Sequence, residues 1–294
     1  MSYVERKIEL TISLGKGATL NPNSDNTVTL TQHRVQANIT QNLGPTVGKA
    51  MIRVYGLNPS LLNKVASLNK VTATLQENLI TVKAGDDASG MSIVFDGMIV
   101  LAQADMGQQP TTALNITANA LGALALQKTP VNTYPGSADL AIVMQNLATQ
   151  AGLNFENWGA SKVVATPYFW GSVGKQIDDC ARAGGFERVF EKNTLIIWPK
   201  GGARGGVVPL VSKASGLIGY PSYLSVGDKS GISVTTVFDP RLYNGGMVQI
   251  DSELPVAKGR WQVYELTHEL ESMVPGGQWL SHFAGLAPQA VLNG

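Results

Sequence analysis

The stretch FDPRLYNGGMVQIDSEL, residues 238–254, holds three acids, an arginine, a proline and a Gly-Gly pair within seventeen positions. It fits two structures: a cleft in which carboxylates do chemistry, or a turn followed by a strand of a β domain. Asp239-Pro240 favours the turn, because the residue before a proline is held extended and an Asp side chain accepts hydrogen bonds from nearby backbone. Gly245-Gly246 permits the next tight bend. We therefore predict that Asp239, Pro240, Gly245 and Gly246 shape a turn and act as scaffold.

The end of this stretch, MVQIDSEL, alternates with a period of two, which is typical of a half-buried strand. The alternation places Val248 and Ile250 on one face and Gln249, Asp251 and Glu253 on the other. The two acids share a face, but it is the face that we expect to meet water. We predict no catalytic residue here or elsewhere in the chain.

A second copy of this layout lies near the N-terminus. NPSLLN (58–63) aligns with DPRLYN (239–244), and Pro, Leu and Asn coincide at alternate positions. Each hexamer follows an apolar strand, IRVYGL or VTTVF. Further along, 97–121 and 261–286 share one layout: a long alternating strand, a turn that contains glycine and a second alternating strand. The shared order predicts two related β domains in one chain.

The residues between the two copies have helical rather than alternating patterns. Ser137 is a good N-cap for ADLAIVMQNLATQA, and Gly152 fits the stop of that helix. Ser172 is predicted to cap a second helix, VGKQIDDCARA, which Gly184-Gly185 would end. FERVF and TLIIW, joined by a polar turn, predict a hairpin. This segment is therefore predicted to be a small α+β domain.

The fold class predicted from these patterns is mainly β with an α+β insert: two related small β-barrel domains flank a two-helix α+β domain. GGARGGVVP, residues 201–209, is predicted to be a flexible linker, since four of its first six residues are glycine. The predicted domains are a β-barrel domain at 1–127, the α+β domain at 128–200, the linker at 201–209, a second β-barrel domain at 210–286 and a loose tail at 287–294.

The composition limits the function classes. The formal net charge is +1, so no global field draws the chain to nucleic acid or to an anionic membrane. Only 15% of the residues are charged, against about 25% in an average soluble domain. This fits a surface buried against partners, since interface cores are depleted in Lys, Glu and Asp; it fits equally a neutral β-rich protein with many turns.

Targeting and redox signals are sparse. MSYVERKIEL, the N-terminal stretch, lacks the apolar region of a signal peptide, and no run of about 18 apolar residues predicts a membrane-spanning helix. The single cysteine, Cys180, excludes an intrachain disulfide. We expect a protein made in a reducing cytoplasm.

A metal site is not predicted. His268-Glu269 begins like the zinc-protease motif HExxH, but Ser272 stands where the second histidine would be. The alternation of YELTHELES also predicts a strand, whereas that motif needs a helix to bring its histidines together. His282 could approach His268 across a hairpin, yet the sequence offers no third ligand.

Phosphate and thiol chemistry are also not predicted. GPTVGKA (44–50) and GSVGKQ (171–176) are each one residue shorter than GxxxxGK and lack the Ser or Thr that would hold magnesium. We predict a hairpin turn, a helix start and no cofactor. Asp178 and Asp179 are neighbours on a predicted helix, point about 100° apart and form no acid dyad. Cys180 is predicted to be a buried, inert thiol.

Aromatic residues cluster at strand spacing near the C-terminus. Trp261, Tyr264, Trp279 and Phe283 have too few basic neighbours to form a base-stacking surface. Packing in the core or at an interface is the better explanation. We predict these four as candidate interface residues, on the second of two long hairpins, 93–119 and 260–284.

Several landmarks of the last domain resemble the baseplate hub proteins of contractile-tailed bacteriophages. They are GLIGYP (216–221), FDPRL-x-x-GG (238–246), the strand GRWQVYELTHEL (259–270) and PGGQW (275–279). The resemblance implies two related β-barrel domains per chain and a homotrimer that forms a pseudo-sixfold collar. Such a collar would join a sixfold tail tube protein to a threefold central spike protein, next to other baseplate proteins. It implies a structural role, without enzymatic activity, in the tail baseplate of a virion assembled in the host cytoplasm.

Two other functions stay open at this point. A tail-associated peptidoglycan hydrolase would use Glu253 or Asp251. A carbohydrate-binding β module for host attachment would expose Trp261 or Trp279 as a sugar platform. A related contractile injection machine would show the same sequence features as a phage tail.

Overall fold

The structure is a computed structural model. It describes residues 5–15, 20, 26–42, 48–66, 78–107, 111–120, 124, 127–226 and 229–287. Within these residues the chain is mainly β and has three α-helices, which confirms the predicted fold class. The described helices are all too short or too polar to cross a membrane.

The elements fall into three successive stretches of the chain. The first stretch contains β1 (Arg6–Ser13), β2 (Thr27–Leu30), β3 (Val35–Asn42), β4 (Lys49–Tyr55), α1 (Pro59–Ala66), β5 (Leu79–Asp86), β6 (Gly90–Asp105) and β7 (Ala113–Asn119). The middle stretch contains β8 (Asn132–Thr133), β9 (Ser137–Asp139), α2 (Leu140–Gln150), β10 (Asn154–Asn157), β11 (Val163–Ala165), β12 (Tyr168–Phe169), α3 (Val173–Gly184), β13 (Phe186–Glu191) and β14 (Thr194–Pro199). The last stretch contains β15 (Leu210–Ser212), β16 (Leu217–Val226), β17 (Lys229–Val237), β18 (Met247–Asp251), a 3-10 helix (Pro255–Ala257), β19 (Gly259–Ser272) and β20 (Trp279–Leu286).

These elements form two compact units. The first unit comprises Met1–Thr40, Gly48–Ala123 and Thr267–Leu280, and the second comprises Gln41–Val47, Leu124–Leu266 and Ser281–Gly294. Strands β19 and β20 therefore contribute residues to both units. The domain bounds predicted from the sequence stay a prediction, and of the predicted tail, 288–294 lies outside the described residues.

In the first unit the strands follow the order β19-β3-β4-β7-β6-β5-β1-β2. Strand β6 is long enough to serve two neighbours: it pairs with β5 up to Met98 and with β7 from Met98 to Asp105. Alternate residues of β1 are buried, namely Ile8, Leu10 and Ile12, as expected of a strand with one face on the core.

Helix α1 follows β4 directly. Pro59 occupies its first position, and the Asn58 side chain accepts a hydrogen bond from the backbone N–H of Leu61 at 2.8 Å. This is an N-cap, which satisfies a donor that the first turn leaves without a helical partner. Leu62 and Val65 are buried, so one face of this short helix packs on the core.

In the second unit the strands follow the order β16-β17-β20-β19-β18-β15. On β18, Val248 and Ile250 are buried and Asp251 is exposed, as the alternation of MVQIDSEL predicts. The core of these strands contains Val211, Ile232, Val234, Leu242, Val248, Ile250, Ala257, Val263, Leu266 and Phe283.

The two helices of the insert are confirmed, but the predicted cap of the first is wrong. Asp139, and not Ser137, caps α2: its carboxylate accepts a hydrogen bond from the N–H of Ala141 at 2.9 Å. Strand β9 pairs with β11 and holds 137–139 extended, so the helix begins two residues later than predicted. The start of α2 is therefore set by the neighbouring strand β11, which the capping residues of the helix do not predict.

The second helix of the insert has the ends predicted from the sequence. The Ser172 side chain accepts a hydrogen bond from the N–H of Lys175, and Gly185 has the left-handed conformation at the C-cap. Strands β13 and β14 then form the predicted antiparallel hairpin. Lys192 and Asn193 make its two-residue turn with φ values of 50° and 56°, the arrangement that matches the twist of a hairpin.

One strand order occurs twice in the chain. We call β3 to β7 the first repeat and β16 to β20 the second repeat. The order in the first is β3-β4-β7-β6-β5, and the order in the second is β16-β17-β20-β19-β18. The strands correspond one to one in sequence and in pairing. The repeats differ at the next strand, because β1 is antiparallel to β5 whereas β15 is parallel to β18.

Candidate functional site

The turn between β17 and β18 is held by its own side chains. The Asp239 carboxylate accepts hydrogen bonds from the backbone N–H and the Nε of Arg241, both at 2.9 Å. This contact raises the pKa of Arg241 through its hydrogen bond and charge attraction to Asp239. The backbone N–H of Asp239 donates to Ser281 Oγ at 3.4 Å. The side chain of Asp239 thus closes a local loop, whereas its backbone contacts β20.

The glycine pair of this turn lies against aromatic rings. Gly245 has a φ of 78°, and a Cβ at this position would overlap the Trp198 ring. A Cβ at Gly246 would overlap the Tyr243 ring. Glycine suits both positions because it has no Cβ, and at Gly245 it also tolerates the positive φ. The scaffold role of Asp239, Pro240, Gly245 and Gly246 stays a prediction.

The acids of the opening stretch lie on the surface. Asp251 forms an ion pair with Lys258 at 3.0 Å, and the two side chains are 54% and 63% exposed. Glu253 accepts a hydrogen bond from the Tyr220 hydroxyl at 2.9 Å. Exposed ion pairs of this kind are solvated and contribute little energy. Glu253 Oε1 also lies 4.0 Å from Lys213 Nζ, whose side chain is 93% exposed.

The aromatic residues proposed for an interface lie largely inside the chain. Phe283 is 2% exposed and Trp279 is 6% exposed. Trp261 is partly buried against the core of the second unit, and its indole N–H donates to the Ala257 carbonyl at 2.9 Å. Tyr264 packs against the cluster that contains Trp198. Their interface role stays a prediction, but their contacts within the chain are those of packing residues.

Other aromatic residues are exposed instead, and the sequence patterns did not single them out. Tyr220 and Tyr223 on β16 are 64% and 75% exposed, and Tyr168 and Trp170 lie on the surface of the insert. Tyr220 belongs to GLIGYP, one of the landmarks of the resemblance. The Tyr220-Pro221 pair is the sequence signal that could have indicated an edge strand, since proline within a sheet is confined to edges and bulges.

The two histidines considered as metal ligands and the single cysteine lie in different environments. His268 is buried, and His282 Nδ1 is 3.0 Å from Thr235 Oγ1. The described residues contain no group of three or more His, Cys, Asp or Glu side chains placed to hold a metal. Burial raises the pKa of Cys180 to about 12, and its Sγ donates to the Leu140 carbonyl. A thiol in this state is a poor nucleophile.

The two stretches that resemble phosphate loops have different outcomes. GSVGKQ forms the start of α3 as predicted, and Lys175 forms an ion pair with Asp179 one turn later. Of GPTVGKA, 44–47 lies outside the described residues.

Asp178 forms an ion pair with Arg188 on β13. Burial raises the pKa of Asp178, an effect that the Arg188 charge opposes.

A row of polar pairs lies where β19 and β3 are neighbours in the first unit. Gln36 Nε2 donates to Glu271 Oε1 at 2.8 Å, and Thr40 Oγ1 is 3.2 Å from Thr267 Oγ1. Glu271 also accepts from the N–H of Gln278 at 3.1 Å. A groove of about 540 Å³ runs over this face. Its amides and carboxylates are bonded to each other, which is typical of cross-strand pairing rather than of a reactive site.

A family comparison shows what this chain is related to. The family model described as baseplate hub gp41 matches residues 8–274. The chain belongs to this baseplate hub family. The resemblance carried by the landmark motifs is thereby confirmed, and the match also covers the first repeat and the insert. A comparison with curated proteins gives no match.

Solved structures share the fold of the hub chain. A tail protein from Neisseria meningitidis MC58 has a TM-score of 0.62 at 9% identity, covering 95% of this chain and 96% of that chain. The 43 kDa tail protein of prophage MuSo2 from Shewanella oneidensis also has a TM-score of 0.62 at 9% identity, covering 96% and 97%. The E. coli c3393 protein, a component of the type VI secretion system, has a TM-score of 0.59 at 10% identity, covering 86% and 74%.

Identities near one in ten show the fold alone. The family match adds the role: this chain is a structural component of a tail or baseplate. The solved structures with this fold include a tail protein, a prophage tail protein and a component of the type VI secretion system. What the chain shares with them is the fold.

Proposed function

We propose that this chain is the structural hub of a contractile tail baseplate, in which three copies form a pseudo-sixfold ring that joins the tail tube to the central spike. The observation that carries the proposal is the strand order that occurs twice in one chain. Three chains with two equivalent repeats present six equivalent units, which match a sixfold tube, while the true symmetry stays threefold and matches a threefold spike.

The partners depend on this arrangement. They are two further copies of the chain, the tail tube protein, the central spike protein and other baseplate proteins. The complex would belong to the virion tail baseplate and would be assembled in the host cytoplasm. No recognition of nucleic acid and no insertion into a membrane is part of the proposal, since the net charge is only +1.

The proposed role requires no enzymatic activity. The hydrolase hypothesis would use Asp251 or Glu253, but both form exposed surface contacts with Lys258 or Tyr220. A glycoside hydrolase needs two carboxyl groups that flank one scissile bond. The sugar-platform hypothesis would need Trp261 or Trp279 to be exposed, whereas both pack within the chain. Neither alternative is favoured by a specific observation.

Light scattering on a sizing column tests the proposal. A trimer would have a mass of about 93 kDa, three times the 31.1 kDa of the chain, and averaged particle images should show a ring with six similar lobes. A chain that stays monomeric throughout the micromolar range would contradict a self-assembling ring. Purified protein should leave peptidoglycan intact, and digestion that is lost in Asp251→Ala or Glu253→Ala would contradict the structural role.

A further inference from the structure

Strand β19 uses its two ends differently. Its first residues, up to Gln262, pair with β18. Its last residues, Thr267–Ser272, belong to the first unit, where β19 is the neighbour of β3. Side-chain contacts define this pairing: Asn38 with Glu269 at 3.5 Å, and Thr40 with Thr267 at 3.2 Å. Rising numbers on β3 meet falling numbers on β19, so the two strands are antiparallel.

Strand β6 is the equivalent of β19 in the first repeat, and within the part of the chain that the structure describes its last residues have no equivalent neighbour. Its pairing with β5 extends to Met98, and the N–H of Ile99 donates to the Asn78 carbonyl at 2.8 Å. From Leu101 to Asp105 it pairs with β7. Among the described residues no strand pairs with the opposite edge of this segment. Val100 is 52% exposed, and Gln103 and Ala104 are also exposed. An exposed strand edge with apolar side chains is a template for pairing with another chain.

Strand β16 is the equivalent of β3 in the second repeat. It is the terminal strand in the order of its sheet, with β17 as its neighbour. A bulge between Ile218 and Ser222 and the proline at 221 interrupt its first half, and both features discourage unspecific pairing. The regular part, 222–226, carries the exposed Tyr223.

We propose that the end of β6 in one copy of the chain pairs, antiparallel, with 222–226 of β16 in a second copy. The pairing is the one that β19 and β3 already make, transferred to the equivalent strands. It is heterologous, because each copy offers β6 at one edge and β16 at another, and heterologous contacts close into rings when the rotation permits. The inference rests on the proposed function and names the contact that would close its ring.

The repeats also predict the register. Asn38 is paired with Met51, seven residues before Asn58, and Tyr223 is paired with Ile232, seven residues before Asp239. Because Asn58 and Asp239 align, Tyr223 is the equivalent of Asn38.

On the other strand, Asp105 makes the last pair of the β6–β7 hairpin, and Glu271 bonds Gln278 at the end of the β19–β20 hairpin. If these ends align, Gln103 is the equivalent of Glu269. The contact of Asn38 with Glu269 therefore predicts Tyr223 of one copy opposite Gln103 of the next.

Disulfide cross-linking tests the contact. The double variant Gln103→Cys with Tyr223→Cys is oxidised and analysed on non-reducing gels, with Leu101→Cys and Asp105→Cys in place of Gln103→Cys to test the register. Neighbouring strands hold facing thiols at the separation that a disulfide needs. The native Cys180 is buried and stays in place. The matched control pairs Tyr223→Cys with Asp87→Cys, which lies on the exposed turn between β5 and β6.

The expected result is a covalent trimer as the largest product, formed at least about tenfold faster than in the control, because paired strands give the thiols a high effective concentration. A ladder that continues beyond three copies would support the strand contact and overturn the trimeric ring. A trimer by light scattering whose cross-linking does not exceed the control would overturn the strand contact and leave the ring. A monomer without cross-linking would overturn both.

Discussion

NPSLLN at 58–63 and DPRLYN at 239–244 occupy the same place in the two repeats, directly after β4 and β17. The first begins helix α1, with Asn58 as its cap. The second forms a turn, in which the Asp239 carboxylate bonds Arg241 instead. The difference comes from the residues after each hexamer, because Lys64-Val65 continues a helical face whereas Gly245-Gly246 ends any helix.

The two connections therefore show that the repeats share the order of their strands but differ in the segments that connect the strands. The strands are specified by long alternation and by a buried face. A link is specified by two or three residues, and a glycine pair is enough to change it. The strands that flank the repeats also differ. Strand β1 is antiparallel to β5, whereas β15, at the equivalent place in the order, is parallel to β18.

The strongest test of the equivalence compares buried residues on β7 and β20. Leu114→Ala and Phe283→Ala should each lower the free energy of unfolding, by about 2–5 and about 3–5 kcal/mol, because both side chains are buried. Denaturation with urea measures the loss. Val256→Ala, at an exposed position, is the control and should change stability by no more than about 0.5 kcal/mol. A loss below about 1 kcal/mol for Phe283→Ala would show that its ring is not a core residue.

A glycine substitution sharpens the difference between the links. Gly245→Ala should cost about 2–5 kcal/mol, since it adds left-handed strain to an overlap with the Trp198 ring. Gly219→Ala has a similar positive φ but no atom within 4 Å of the new Cβ, so it should cost only about 1–2 kcal/mol. Thermal unfolding of both variants separates strain from overlap. Equal losses would argue against a steric role for Trp198.

The contact between β19 and β3 allows a smaller test. Glu271→Ala removes the acceptor for Gln36 and for the N–H of Gln278, and should cost about 1–2 kcal/mol because these are hydrogen bonds to a charged group. The control Glu253→Ala removes a carboxylate that is 67% exposed and 4.0 Å from Lys213. Urea denaturation should show a change in stability near zero for the control. Similar losses for the two variants would contradict a stabilising contribution from the hydrogen bonds that Glu271 accepts.

The helix caps give the smallest expected effect and a dependence on pH. Asn58→Ala and Asp139→Ala should each cost about 1 kcal/mol at neutral pH. Hydrogen bonds from Ala141 and Ser161 lower the pKa of Asp139, so its contribution is present above about pH 4 and is lost as the pH falls through the lowered pKa. The effect of Asp139→Ala should therefore shrink in acid, while that of Asn58→Ala stays constant. Denaturation followed by circular dichroism at pH 7 and pH 3 would measure the loss of stability of each variant at both pH values.

Much of this protein can be predicted from local patterns in the sequence. Alternation predicted the strands and the buried face of β18, Ser172 and Gly185 predicted the ends of α3, and the paired hexamers predicted the repeat. The landmark motifs predicted the hub family. These signals are readable because caps, tight turns and the period of a strand depend on residues a few positions apart.

The tertiary structure alone decided what lies far apart in sequence. It moved the cap of α2 from Ser137 to Asp139 through the pairing of β9 with β11. It buried Trp279 and Phe283 and exposed Tyr223. It also determined which edge of each long strand has a neighbour. Backbone hydrogen bonds between distant strands use the same N–H and C=O groups in every residue, so the sequence does not specify which strands pair.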